Sequence, residues 1–77
     1  MDEQQFIANF REQFDMIDDD TVIGRDTDFR ALEDWDSLVA LSIIAMIDDE
    51  YGVAVSGDDI RAVDTVAQLM LLVKEKQ

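Results

Sequence analysis

The sequence predicts a small all-α bundle of three longer helices and one short helix, with a long loop after the first. Three observations predict it. Apolar residues recur at helical spacing in three separate segments. The 77 residues contain no proline and only three glycines, Gly24, Gly52 and Gly57, so helix breaks are few. Cap-forming residues stand at the segment starts. One domain spanning 1–77 is expected. A chain this short buries one core, with a stability margin of roughly 3–5 kcal/mol.

The first helix is expected from about Glu3 to Phe14. Phe6, Phe10 and Phe14 recur every four residues, with Ile7 and Ile17 beside them, giving one apolar stripe. Asp2 and Gln5 resemble a capping box with Asp in place of Ser or Thr. From Asp15 to Asp36 the pattern dissolves through Asp18-Asp19-Asp20, Gly24 and Asp26-Thr27-Asp28. Loops of about twenty residues are uncommon in small domains and are usually functional or disordered. Here Ile23, Phe29, Leu32 and Trp35 serve as apolar anchors that tie the loop to the helices.

The second helix is expected over Ser37–Tyr51, with Asp36 as N-cap and Gly52 where a left-handed residue ends it. Leu38, Leu41, Ile43, Ile44, Ala45, Met46 and Ile47 cover most of its circumference, so more than one face should be covered. Val53 and Val55 alternate with Ala54 in a short extended linker. Ser56 with Asp59 begins a short helix reaching about Val63. Asp64 or Thr65 caps the last helix, in which Val66, Leu69, Met70 and Val73 share a face. Lys74 and Lys76 fall in its last turn, where cations suit the helix dipole.

Six Lys and Arg against nineteen Asp and Glu give a net charge of −13. That charge argues against nucleic acid and anionic lipid as partners and for basic ones. The chain has neither Cys nor His. Disulfides, zinc sites with sulfur or imidazole ligands, Ser-His-Asp triads and cysteine nucleophiles are therefore excluded. No secretory signal follows Met1, and Leu38 to Ile47 is too short to span a bilayer. A cytoplasmic monomer without membrane insertion is expected. The acid runs miss the EF-hand spacing, since Ile23 stands where glycine should follow Asp18 and Asp20, and no metal site is claimed.

Asp48, Asp49 and Glu50 break a local rule. Anions at a helix C-terminus oppose the dipole, at roughly 0.3–1 kcal/mol each when exposed, and Ser37–Tyr51 contains no Lys or Arg. They form either a solvated face, paired in space with Arg61 or Arg11, or a docking surface for basic partners. At the other end, Ser37 is the first helical residue if Asp36 is the N-cap. Its hydroxyl is then exposed beside free backbone N–H groups, where an attached anion is favoured. The tripeptide Asp36-Ser37-Leu38 by itself is also ordinary capping chemistry.

The ordered set of features over nearly the whole chain resembles the acyl carrier proteins. It comprises the first amphipathic helix, Phe29-x-x-Leu32, Trp35-Asp36-Ser37-Leu38, the run from Ile43 through Asp48-Asp49-Glu50-Tyr51-Gly52-Val53, and Asp64-Thr65-Val66. The resemblance implies a carrier, not an enzyme. A phosphopantetheinyl transferase would use CoA and Mg²⁺ to attach 4′-phosphopantetheine to Ser37. The arm's thiol would hold acyl groups as thioesters for acyl-transferring and acyl-modifying enzymes with basic docking patches. It further implies a docking surface of Asp36, Leu38, Leu41, Ala45, Asp48 and Asp49. Ile44, Ile47, Val63, Leu69 and Met70 would be walls for a folded-back cargo, although each is equally a core residue.

Two departures stand out. Many fatty-acid carriers of this family have Gly-x-Asp-Ser-Leu and acids just after the serine. Here Trp35 precedes Asp36, and Val39, Ala40 and Ser42 make the front of the docking face more apolar, so partners other than those of housekeeping fatty-acid synthesis are expected. Trp35 is either a loop anchor or a contact to the arm or partner. The cargo class stays open among fatty acyl, polyketide, hydroxyacyl and aminoacyl groups. An unmodified acidic helical adaptor for a basic protein is the alternative.

Overall fold

The computed structural model describes residues 1–14 and 17–77; the loop's first residue, Asp15, lies outside them. Its helices are α1 (Glu3–Glu12), α2 (Ser37–Tyr51), α3 (Gly57–Arg61) and α4 (Val66–Lys76), with a 3-10 turn at Phe29–Ala31 in the long loop. The fold class is the one expected. Helix α2 packs against α1 and α3, and α1 against α4. Their shared core holds Phe6, Phe10, Phe29, Ile43, Ile47 and Leu69, all fully buried.

Helix α1 ends earlier than its apolar stripe. The amides of Gln13 and Phe14 donate to Phe10 and Arg11, an i→i−3 pattern that tightens the last turn, yet Phe14 remains buried. Half of the expected capping box forms. The Asp2 carboxylate accepts from the amides of Gln4 and Gln5 at 3.0 and 3.3 Å. The Gln5 side chain instead donates to Asn9 at 3.0 Å.

The long loop is anchored as its apolar residues predict. Ile23 and Phe29 are buried, and Leu32 and Trp35 are half-buried. The Trp35 ring lies 4.8 Å from that of Phe29 and 6.3 Å from that of Phe14, centre to centre. Backbone bonds also fasten the loop to the start of α4. The amide of Phe29 donates to Asp64 at 3.2 Å, that of Val66 to Thr27 at 3.2 Å, and that of Ala67 to Arg25 at 2.8 Å.

Helix α2 begins and ends where the sequence places it. The Asp36 carboxylate accepts from the Val39 amide at 2.8 Å, and Gly52 closes the helix in the left-handed region with φ 66°. Covering is one-sided, however. Val39, Ile43, Met46 and Ile47 are buried, while Leu38 and Leu41 are 72% and 62% exposed. The high apolar content therefore supplies two stripes, one facing the core and one facing solvent. Val53 and Val55 point into the core and Ala54 outward. Helix α3 carries the full capping box of Ser56 and Asp59 and stops at Arg61, short of Val63. Thr65 rather than Asp64 caps α4, in a second capping box with Gln68.

Candidate functional site

The head of α2 gathers the residues that matter most. Ser37 is the first residue of the helix and is exposed. Among the described residues, the amides of Ser37 and Leu38 meet no acceptor, because the Asp36 carboxylate is engaged by Val39 and the Asp36 carbonyl by Ala40 at 3.1 Å. Those two N–H groups form the positive end of a 15-residue helix. An anionic group bonded through the serine oxygen would sit beside them at low electrostatic cost.

The chain's other serines are placed differently. The Ser56 hydroxyl accepts from the Asp59 amide at 3.1 Å as part of a cap. Ser42 lies in the second turn of α2 and is half-buried. Ser37 alone combines exposure, freedom from capping and a helix start.

Two cavities flank this head. One, of about 270 Å³, lies against α3 and is lined by Arg30, Trp35, Ser37, Ala40, Ile60 and Arg61. The other, of about 360 Å³, lies towards the end of α1 and includes Gln13, Glu33, Asp34, Trp35, Leu38 and Ser42. Trp35 and Asp36 belong to both. Trp35 is thus an anchor on its inner face and a wall on its outer one.

The proposed docking residues Asp36, Leu38, Leu41, Ala45, Asp48 and Asp49 are all exposed. From Leu38 onward they follow one stripe of α2, opposite the core-facing Val39, Ile43, Met46 and Ile47. Neither Arg61 nor Arg11, the candidate partners under the solvated-face reading, pairs with the α2 acids. Arg61 pairs with Asp58, and Arg11 donates to the carbonyls of Asp18 and Thr21. Local geometry explains this: Asp58 is three residues from Arg61 on the same helix, and Arg11 closes the start of the loop. Among the described residues the other ion pairs are Arg25–Glu3, Arg30–Asp64 and Lys76–Asp59, none of them on α2.

Of the suggested cargo walls, Ile47, Leu69 and Met70 are core residues, and Ile44 and Val63 are half-buried against the core. None of the five lines the cavity containing Ser37, whose apolar walls are Trp35, Ala40 and Ile60. Sequence reasoning missed Ile60, Arg30 and Arg61 at this site. The contact that sets Arg30, donation to the Arg61 carbonyl at 2.9 Å, spans 31 residues and leaves no local signal. Among the described residues, no group of three or more His, Cys, Asp or Glu is arranged to hold a metal ion, and no helix is long and apolar enough to cross a membrane.

The capped four-helix fold thus presents one exposed serine, free of any cap, at the head of α2. Residues 4–73 match the phosphopantetheine attachment site family, and the chain belongs to that family. No curated protein and no solved structure matches it. Proteins of this family carry a covalently attached 4′-phosphopantetheine and are carriers rather than catalysts. They interact with phosphopantetheinyl transferase and with acyl-handling enzymes.

Proposed function

We propose that the protein is an acyl carrier whose attachment point is Ser37 and whose docking surface is the outer stripe of α2. The placement of Ser37 carries the reading: it is the one serine whose hydroxyl is exposed, uncommitted to a cap, and next to unpaired helix amides. When attached, 4′-phosphopantetheine supplies a thiol that holds acyl groups as thioesters. The chain supplies the rest. The amides of Ser37 and Leu38 offset the negative charge at the attachment point. Asp36 holds the helix start in register through Val39. Leu38, Leu41 and Ala45 offer a partner an apolar strip, and Asp36, Asp48 and Asp49 draw a basic patch towards it by long-range attraction.

The partners are a phosphopantetheinyl transferase and acyl-transferring or acyl-modifying enzymes with basic faces. The cargo belongs to fatty-acid, polyketide or related acyl biosynthesis. A monomer in the cytoplasm fits the charge of −13, which opposes self-association.

Intact mass tests the attachment point. The protein is incubated with CoA, Mg²⁺ and a broad-specificity transferase. A gain of one phosphopantetheine is expected, and Ser37→Ala should abolish it while the circular dichroism spectrum is unchanged. An unmodified product with several active transferases would favour the adaptor reading. Retained modification in the Ser37→Ala variant would move the attachment elsewhere.

A further inference from the structure

The cavity at Ser37 has an unexpected electrostatic character. In a chain with net charge −13, two of the six cations, Arg30 and Arg61, line one space of about 270 Å³. The single acid in that wall is Asp36, whose carboxylate is turned to the Val39 amide. The remaining walls are Ser37, Gly57, the indole of Trp35, the methyl group of Ala40 and the buried side chain of Ile60.

Both arginines are held in place but not used up. Arg30 donates to the Arg61 carbonyl and to Asp64, and Arg61 donates to Asp58. These contacts occupy part of each guanidinium's donor set. Their acid partners face water, with Asp64 63% and Asp58 89% exposed. Exposed ion pairs are weak and screened, so they leave a guanidinium free to meet another anion. Guanidinium is also the side-chain group best matched to planar or tetrahedral oxyanions.

We infer that Arg30 and Arg61 form an oxyanion seat in the cavity beside Ser37, which engages the modified carrier through negatively charged oxygen. The inference rests on Ser37 being the attachment point. Two sources present that chemistry: the phosphodiester at the serine, and the free carboxylate at the far end of a dicarboxylic acyl group held on the arm as a half-thioester. The seat also offsets a like-charge conflict, since modification adds a negative group next to Asp36 on an already acidic protein.

The test uses intact protein carrying the unacylated arm, a butyryl arm or a succinyl arm, with loading verified by mass. The side-chain Nε–H signals of Arg30 and Arg61 are followed by ¹⁵N NMR against the unmodified protein. Movement already present with the unacylated arm identifies the phosphodiester as the source. Movement with succinyl beyond that with butyryl identifies the carboxylate. In either case Arg61→Gln should remove the accompanying shifts at Ala40 and Ile60, and Arg61→Lys should retain part of them. Arg61 is largely exposed, so both variants should fold. Unmoved arginine signals in fully loaded protein would overturn the seat and leave the carrier reading intact. So would equal movement with butyryl and succinyl arms when the unacylated arm gives none, because packing alone would then explain it. Absence of loading would sink the carrier reading and the seat together.

Discussion

Two helix starts in this molecule use nearly the same local chemistry and end up with opposite exposure. Helix α2 opens with Asp36-Ser37-Leu38 and α4 with Asp64-Thr65-Val66. At α4 the Thr65 hydroxyl accepts from the Gln68 amide, and the Val66 and Ala67 amides donate to carbonyls of the long loop. Every donor of that first turn is satisfied within the protein. At α2 the cap is the aspartate, one residue earlier, so the hydroxyl is left over. No loop strand crosses that start, and the Ser37 and Leu38 amides stay open among the described residues. Closing one helix start stabilises the fold, whereas the other start keeps its first two amides and a hydroxyl open to solvent, as the proposed attachment at Ser37 requires.

The strongest way to break this contrast is to remove what holds the loop on α4. Phe29 is fully buried against Phe10 and Trp35, and its amide bonds Asp64. Phe29→Ala should cost about 3–5 kcal/mol, which matches the whole margin expected for a domain of this size. Denaturant titration should find it largely unfolded. A cooperative transition near the parent midpoint would show that the backbone bonds alone secure the loop.

The caps sharpen the comparison. Asp36→Ala and Thr65→Ala should each cost about 1 kcal/mol. Asp36→Ala should cost the more of the two, because it leaves the first three donors of α2 bare. After Thr65→Ala the loop carbonyls still hold Val66 and Ala67. Thr65→Ala should also leave transferase modification at the parent rate. Equal loss of modification in both variants would mean that helix-start stability, not openness, governs attachment.

The far end of α2 gives a smaller effect of the opposite sign. Asp48 and Asp49 are exposed, unpaired with any cation among the described residues, and set against the helix dipole. Asp48→Lys with Asp49→Lys should raise stability by several tenths of a kcal/mol. The same change should slow association with the transferase at low salt. That defect should shrink as the Debye length falls below about 8 Å. An unchanged low-salt rate would remove these acids from the docking surface.

Much of this was legible in the sequence, for identifiable reasons. Helix α2 was readable at both ends because its punctuation is local: an aspartate before an apolar run, and a glycine in the left-handed region at its end. The Ser56/Asp59 box was equally local. The exposure of Leu38 and Leu41 was legible only through the family resemblance, because an all-round apolar pattern does not by itself reveal which stripe faces a neighbour. Periodicity also placed the end of α1 at Phe14, since a side chain can stay on the core stripe after the backbone has left the helix. The stitching of the loop to α4, and the meeting of Arg30 with Arg61, join residues more than thirty positions apart. Neither carries a motif, and only the tertiary fold brings them together.

The smallest expected effect concerns how α3 and α4 are tied at the side of the bundle. The Asp59 carboxylate accepts from the Ser56 amide at 3.0 Å and lies 3.6 Å from the Lys76 ammonium. The Ser56 amide, then the Ser56 hydroxyl and then the charge of Lys76 hold the Asp59 carboxyl below its ordinary value of 3.8. A group depressed in the folded state releases its proton more readily there than in the unfolded chain. Its contribution is therefore fully present above the unfolded value near 3.8 and is lost as pH falls through the lower folded value. Asp59→Asn should flatten the pH dependence of stability in that acidic window and leave the slope above pH 5 as it was. Lys76→Gln should produce a weaker flattening, because it leaves the Ser56 amide in place. An identical pH profile for the parent and Asp59→Asn would show that this carboxylate bears no part of the link between α3 and α4.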